Sequence, residues 1–462
     1  MKLLLTVVGF VLIVPVCFGQ TAAPRTYLPN IAEEDWSFLK DESKRVDFWD
    51  PLKYISLGGE DRFLTLSGEI RFRSEGFRVH PVGDAPSRSD GYFLQRYLFG
   101  ADFRLSRRFR FFTEIQSGLI NGKLNSPRPT DKNSLDLHQG FFEWKEKFRG
   151  DREFTLRVGR QELAIGSSRL ISASPGLNVK RSFDGANLSV KAGGSWQVDA
   201  GFARLVSLSQ GVFDDQPDHE QTFWGAAVTR KSPRFKQGQL GFYYLGLDRA
   251  RSLYAQGVGR DQRHTLGVKW FGSGARLDLN YDGIFQWGSF SGALIRAWAF
   301  STETGYRISQ THWRPRFSVR ADFASGDKDR SDPRLQAFNP LFPGNSFAGA
   351  VGLLGPTNLT DLTPALTMVP HRKVFLIIEC PNYWRTSLQD GVYGTSLSLI
   401  FPPGAGEGRY VGSNPAIAPV WQVTRHIMLQ GAITRFLAGG FLRETFVGKG
   451  FGFYSFSFVY RF

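Results

Sequence analysis

The chain has 462 residues, a formal net charge of +15, 15% aromatics, 51 Gly and two Cys. That length suits two or three soluble domains or one large barrel. Beyond the N-terminus no segment approaches 18 consecutive apolar residues, which excludes a helical membrane protein and leaves a closed barrel as the membrane alternative. The basic residues are mostly Arg, whose planar fork grips carboxylates. An exported chain seldom meets nucleic acid, so the excess charge points to an anionic small molecule or polysaccharide.

Residues 1–20 read as a secretory signal: Lys2 supplies the charge, residues 3–16 the apolar run and Cys17-Phe18-Gly19 the cleavage region. Cleavage would leave Cys380 alone and exclude an intramolecular disulfide. Residues 21–60 are mixed and charged, with Trp36, Phe48 and Trp49, and read as a partly helical periplasmic segment. From 61 to 462 the chain becomes a series of alternating runs that predict an all-β, transmembrane antiparallel barrel.

The first run puts Leu64, Leu66, Ile70 and Phe72 on one face and Thr65, Ser67, Glu69, Arg71 and Arg73 on the other. The second sets Phe93, Tyr97, Phe99 and Phe103 against Arg96, Asp102 and Arg104. Polar faces with charges of both signs would ruin a soluble core but suit a watery lumen. The expected strands are 61–73, 91–105, 108–121, 136–146, 153–163, 179–190, 194–206, 220–231, 238–247, 262–272, 274–287, 291–304, 314–324, 357–369, 372–386, 409–424, 426–437 and 450–462. Short turns follow even strands. Long loops follow most odd ones, at 74–90, 122–135, 164–178, 207–219, 248–261, 325–356, 387–408 and 438–449, whereas 288–290 would be short. The last strand carries Tyr454, Phe456, Phe458, Tyr460 and Phe462 on one face, which suits lipid.

Several local motifs converge in order: Leu156-Arg157-Val158-Gly159-Arg160-Gln161-Glu162, Arg181-Ser182-Phe183-Asp184-Gly185-Ala186, Arg320-Ala321-Asp322-Phe323-Ala324-Ser325-Gly326-Asp327 with Phe338-Asn339-Pro340-Leu341-Phe342-Pro343, and Tyr383-Trp384-Arg385-Thr386. Over residues 60–462 this resembles the bacterial alginate-export outer-membrane family. The resemblance implies an 18-stranded barrel whose Arg-lined constriction passes an anionic uronate polymer. Alternation and loop lengths point to the barrel but not to alginate.

The expected constriction residues are Arg71, Arg73, Arg96, Arg104, Arg157, Arg276, Arg320, Asp322 and Arg385, with Glu69, Asp102, Asp278 and Glu379 as partners for the guanidiniums. Rings of Arg favour anions. The plainer reading is that these groups satisfy a polar wall or meet lipid headgroups. Loop 325–356 reads as a lid or constriction, or as a surface loop. Arg160 and Asp184 fall on the lipid parity, and Pro381, Pro415 and Pro419 interrupt expected strands. The seven His are scattered, so a hydrolase reading is poor and no enzyme is expected. Asp327-Lys328-Asp329 with Asp332 could hold Ca²⁺, against the plainer reading of a solvated loop; no other cofactor is expected. The expected partners are an anionic polysaccharide, outer-membrane lipid and lipopolysaccharide, and periplasmic export proteins, with the barrel a monomer. The alternatives are a general anion or small-solute porin, and a surface adhesin or enzyme with a plugged lumen.

Overall fold

In hydrocarbon every backbone N–H and C=O must find a partner within the protein, so an alternating strand is stable there only inside a sheet without edges. The computed structural model meets that condition. It describes residues 26–59, 61–78, 89–232, 237–310, 312–344, 351–445 and 450–462. The expected signal at 1–20 lies outside them.

The strands are β1 Phe63–Arg78, β2 Asp90–Arg104, β3 Phe109–Asn121, β4 Asn133–Phe148, β5 Arg152–Gln161 and β6 Phe183–Ala192. Then come β7 Trp196–Ser207, β8 Gln221–Lys231, β9 Gln237–Tyr254, β10 Gly257–Ser273, β11 Leu277–Phe290 and β12 Ala293–Arg307. The last are β13 Arg316–Ala324, β14 Leu359–His371, a two-part β15 (Val374–Glu379 and Asn382–Arg385), a two-part β16 (Tyr410–Ser413 and Ala416–Gln422), β17 Ile427–Ala438 and β18 Phe451–Arg461. Each pairs antiparallel with the next, and β18 returns to β1 with Ile70 opposite Tyr460 and Phe72 opposite Phe458. This is a closed 18-strand antiparallel barrel.

The two faces separate as the alternation predicts. Phe93, Phe99, Phe202, Phe242, Leu266, Phe285, Phe300, Ile433 and Phe456 point outward and are exposed. Glu69, Arg71, Arg96, Asp102, Asp282, Gln286 and Arg320 point inward and are buried. Exposed apolar outside and covered polar inside is the reverse of a soluble protein.

The expected loop at 248–261 is corrected. β9 runs to Tyr254 and β10 starts at Gly257, so Ala255-Gln256 is all that remains of it. Above the lipid neither face of a strand has to be apolar, so polar residues on both faces gave the appearance of a loop. The short turn near 288–290 is real but sits at Ser291-Gly292, both with positive φ (46° and 91°) as a tight hairpin of this kind requires. Pro381 and Pro415 fall in the breaks of β15 and β16. These breaks face each other, with Asn414 N donating to Pro381 O at 2.8 Å. Pro419 lies where the β16–β17 ladder skips, next to Gly431, as expected of a residue with no N–H to donate.

Residues 26–59 form short turns at Ile31–Glu33, Ser37–Lys40 and Glu42–Lys44, a helical turn at Asp50–Lys53 and a strand pair of Ile55–Ser56 with the start of β1. They sit at the end of the barrel that carries the short turns and the last strand's terminus. There Trp49 Nε1 donates to Tyr460 Oη at 2.6 Å, and Asp47 meets His426 Nε2 at 2.9 Å.

Phe456 tests the outward parity. Phe456→Arg should cost ~2–4 kcal/mol of folding free energy in lipid vesicles if this position lies near the bilayer midplane. Denaturant titration in vesicles measures it, and a cost near zero would contradict the assignment of faces.

Candidate functional site

The densest charge in the lumen lies where β1 and β2 pair. Strand alternation aims Arg71, Arg73 and Arg96 inward, and the register sets Arg71 directly opposite Arg96. Two like charges so placed need acceptors. Glu69 takes Arg96 and, through its other oxygen, Arg461 Nε at 2.8 Å. Glu75 takes Arg73 at 2.8 Å. Most of the remaining donors go to a row of backbone carbonyls on the loop between β5 and β6, while Arg71 Nε is buried without a partner. Arg71 reaches Gly176 O at 3.2 Å and Leu177 O at 2.7 Å, Arg73 reaches Gly176 O at 2.7 Å, and Arg96 reaches Pro175 O at 2.9 Å and Leu177 O at 2.8 Å. Every hydrogen bond that Arg71 makes ends on a neutral oxygen, the last being Asn178 Oδ1.

That loop, residues 162–182, therefore folds into the barrel. Asn178 Nδ2 donates to the wall carbonyls of Gln95 and Leu119 and to Asp131 O of the β3–β4 loop. Lys180, fully buried, bonds Glu162 and reaches Pro29 O of the N-terminal segment at 3.0 Å. From below, Ile31 and Ala32 pack on the inward-facing Leu98, Phe112 and Phe141. Arg110 Nη2 donates to Ala32 O at 2.6 Å, and Gln139 Nε2 to Asn30 Oδ1 at 3.0 Å. Loop and segment meet inside the barrel and form one column against β1–β5.

Two further loops fold inward. In 325–344, Phe338, Leu341 and Phe342 join Phe183, Phe223, Tyr243, Leu245 and Ile284 in an apolar cluster on the lumen wall. Asn339 Nδ2 bonds Asp261 and Tyr254, both at 3.0 Å. The described part of the expected 325–356 loop is thus an inward fold and not a surface excursion. Arg385, buried, donates to Gly406 O and Gly408 O at 2.9 and 2.7 Å and lies over the Phe441 ring, pinning the loop 386–409.

The other expected residues separate. Arg104 pairs with Asp102 at 3.0 Å. Arg157 bridges Glu143 of the wall at 2.7 Å and Glu33 of the N-terminal segment at 3.0 Å. Arg320 sits between Asp322 and Asp361, both at 3.1 Å, and Asp322 also meets Arg169 of loop 162–182 at 3.2 Å. Glu379 is buried on the same wall. Arg276 is a correction: β11 begins at Leu277, so Arg276 belongs to the preceding turn, is exposed, and bonds Tyr306 Oη at 3.2 Å rather than lining the lumen. Arg160 and Asp184, awkward in the sequence, are direct cross-strand partners joined by two bonds of 2.8 and 3.0 Å. Asp327 and Asp329 take different partners, Gln256 and Ser331.

Sequence reasoning passed over Arg169, Lys180, Arg263 and Arg461. Arg263 and Arg461 share the lumen parity of their strands and could have been found. Arg169 and Lys180 sit in a loop, where no periodicity tells inside from outside.

The geometry is that of a transmembrane β-barrel channel of the bacterial outer membrane. Solved porins share it. A BenF-like porin from Pseudomonas fluorescens is 9% identical with a TM-score of 0.62, the match covering 86% of this chain and 98% of that one. OccK2 (OpdF) of Pseudomonas aeruginosa, in complex with glucuronate, is 11% identical with a TM-score of 0.56, covering 86% and 97%. OccAB4 of Acinetobacter baumannii is 10% identical with a TM-score of 0.55, covering 88% and 99%. No curated protein sequence matches the chain. The alginate export family matches residues 62–447, and the chain belongs to that family.

Two outcomes follow. Removing both guanidiniums with Arg71→Ala and Arg96→Ala strips loop 162–182 of charge-assisted bonds worth roughly 1.5–3 kcal/mol each. The loop should then become cleavable by added protease and single-channel conductance should rise; unchanged conductance with an intact loop would contradict the clamp. The second outcome concerns pH. Burial pushes Asp327 up to about 6, Asp390 and Asp332 adding to the shift and Gln256 opposing it, and burial raises Asp390 as well. A raised carboxylate gains its proton as pH falls, so the contact between the loops 325–344 and 386–409 is weakest above pH 6 and strengthens as pH falls through 6. Hydrogen exchange in 325–344, corrected for intrinsic rate, should slow between pH 7.5 and 5. Asp390→Asn should flatten that response.

Proposed function

We propose that this barrel passes an anionic polysaccharide or oligosaccharide of the uronate type, by diffusion through its arginine-lined lumen. The observation that carries the reading is the inward Arg cluster of Arg71, Arg73, Arg96 and Arg461, gathered around Glu69 and Glu75 on one wall of the lumen. The family's description as alginate export supports the polymer, and a barrel of the same fold holding glucuronate supports the monomer chemistry.

The mechanism is an exchange of acceptors. In the structure the guanidiniums are satisfied by peptide carbonyls at 175–177. A carboxylate is the better acceptor, since it brings a full opposite charge and can take the guanidinium fork through two parallel bonds. A uronate chain arriving at this wall therefore competes with the loop for the same donors. The loop keeps the cluster from binding a single small anion too tightly, and it yields to a polymer that offers several carboxylates in a row. Arg rings lower the barrier for anions, while conduction still needs sites that release them. Paired groups elsewhere, such as Arg316 with Asp278 and Glu303, keep the rest of the wall hydrophilic without trapping the cargo.

A planar bilayer with the folded barrel tests this. Expected are anion selectivity, block by alginate oligomers and no block by neutral dextran. Arg71→Glu with Arg96→Glu should shift selectivity toward cations. Cation selectivity of the unaltered barrel would overturn the reading, and anion conductance that no polyuronate blocks would favour a general anion porin.

A further inference from the structure

Two arginines face the lipid where the barrel closes. Arg78 ends β1 and Arg435 lies on β17, both on the outward parity of their strands and both exposed. The register sets each of them beside the same residue of β18, Gly452. Two strand spacings, roughly 10 Å, separate their backbones. The glycine puts no side chain between them, so two guanidiniums can meet over it. Neither makes an ion pair among the described residues.

Height sets what they meet. Phe462 marks the inner rim, and the tilted strand raises Gly452 about 25 Å above it, the full height of an apolar band. A lipid-facing Arg is tolerated near that boundary, where its head reaches the headgroups. The pair therefore stands at the headgroups of the outer leaflet.

The surface beside Arg435 is not flat. Next to it lie Pro415, Cys380 and Pro364 on three successive strands, with Arg435 N donating to Pro415 O at 3.2 Å and Cys380 N to Pro364 O at 3.0 Å. Their short side chains make a floor. Toward the membrane interior this floor is bounded by a taller row, Ile433, Ile417, Ile378 and Leu366, each opposite the next. The result is an apolar groove of about 550 Å³, open to the lipid, with Arg435 at one end. That is the size of an ordinary ligand pocket.

A basic pair at headgroup height, with an apolar groove running from it, suits a ligand with an anionic head and a hydrocarbon tail. We propose that Arg78 and Arg435 bind a phosphate of lipopolysaccharide, the phosphorylated glycolipid of the outer leaflet, and that one of its acyl chains lies in the groove. Guanidinium forks match phosphate oxygens. A second copy of the barrel is the poorer occupant, since an isologous contact sets the same arginines against each other. The site faces away from the lumen and stands whether or not the cargo is a polyuronate.

The test is native mass spectrometry of the full barrel, refolded in neutral detergent and mixed with lipid A, the part of lipopolysaccharide that carries its phosphates and acyl chains. One lipid A should stay bound per barrel. Dephosphorylated lipid A and inorganic phosphate should each bind at least fivefold more weakly. Arg78→Ser with Arg435→Ser changes two exposed side chains, so the barrel still folds, as its heat-modifiable gel shift would report. This variant should bind lipid A at least fivefold more weakly. Cys380→Phe, which fills the groove and leaves both arginines in place, should do the same. Undiminished binding in either folded variant, equal binding of dephosphorylated lipid A, or a barrel dimer that excludes lipid A would overturn the assignment.

Discussion

Closure of β18 on β1 is the constraint on which the rest depends. A sheet in hydrocarbon cannot leave an edge, so the last strand must find the first. Once Tyr460 stands opposite Ile70, the parity of every strand is set around the ring. Aromatic and aliphatic side chains take the lipid, and the polar set has nowhere to go but inward. The seam also places Arg461 beside Glu69, so the residues that close the barrel belong to its densest charge cluster.

An interior filled with charge then has to be satisfied, and this chain uses its own backbone for part of the task. Carbonyls at 175–177 accept from Arg71, Arg73 and Arg96, and carbonyls at 406 and 408 accept from Arg385. Loops held this way are fixed in place yet exchangeable, because any stronger acceptor competes for the same donors. The N-terminal segment adds apolar packing and ion pairs from the opposite end, through Ile31 against Phe112 and Glu33 against Arg157. Inward loop and arginine wall are thus two sides of one set of hydrogen bonds.

The strands and their faces were readable because period-two alternation is local. The β1 and β2 runs predicted Arg71, Arg73, Arg96 and Arg104 inward, where they stand. Arg276 failed because β11 begins at Leu277, three residues later than the expected start at 274. The loop expected at 248–261 failed because strands that rise above the lipid lose the apolar signal. What the guanidiniums touch was not readable. Their partners at 175–177 lie about 80–105 residues away in a loop without periodicity, and only closure of the barrel brings them together. The prolines that seemed to argue against β15 and β16 mark paired breaks across two neighbouring strands, a relation that no single strand displays.

The central claim is that a polyanion and loop 162–182 share the same arginines. Hydrogen exchange at the amides of 175–178, followed while a uronate oligomer is added to the folded barrel, tests it most directly. The account predicts faster exchange in this stretch as the oligomer saturates, with β1 and β2 unchanged and no response to a neutral oligosaccharide of the same length. Unchanged or slower exchange at 175–178 with the oligomer bound in the lumen would contradict it.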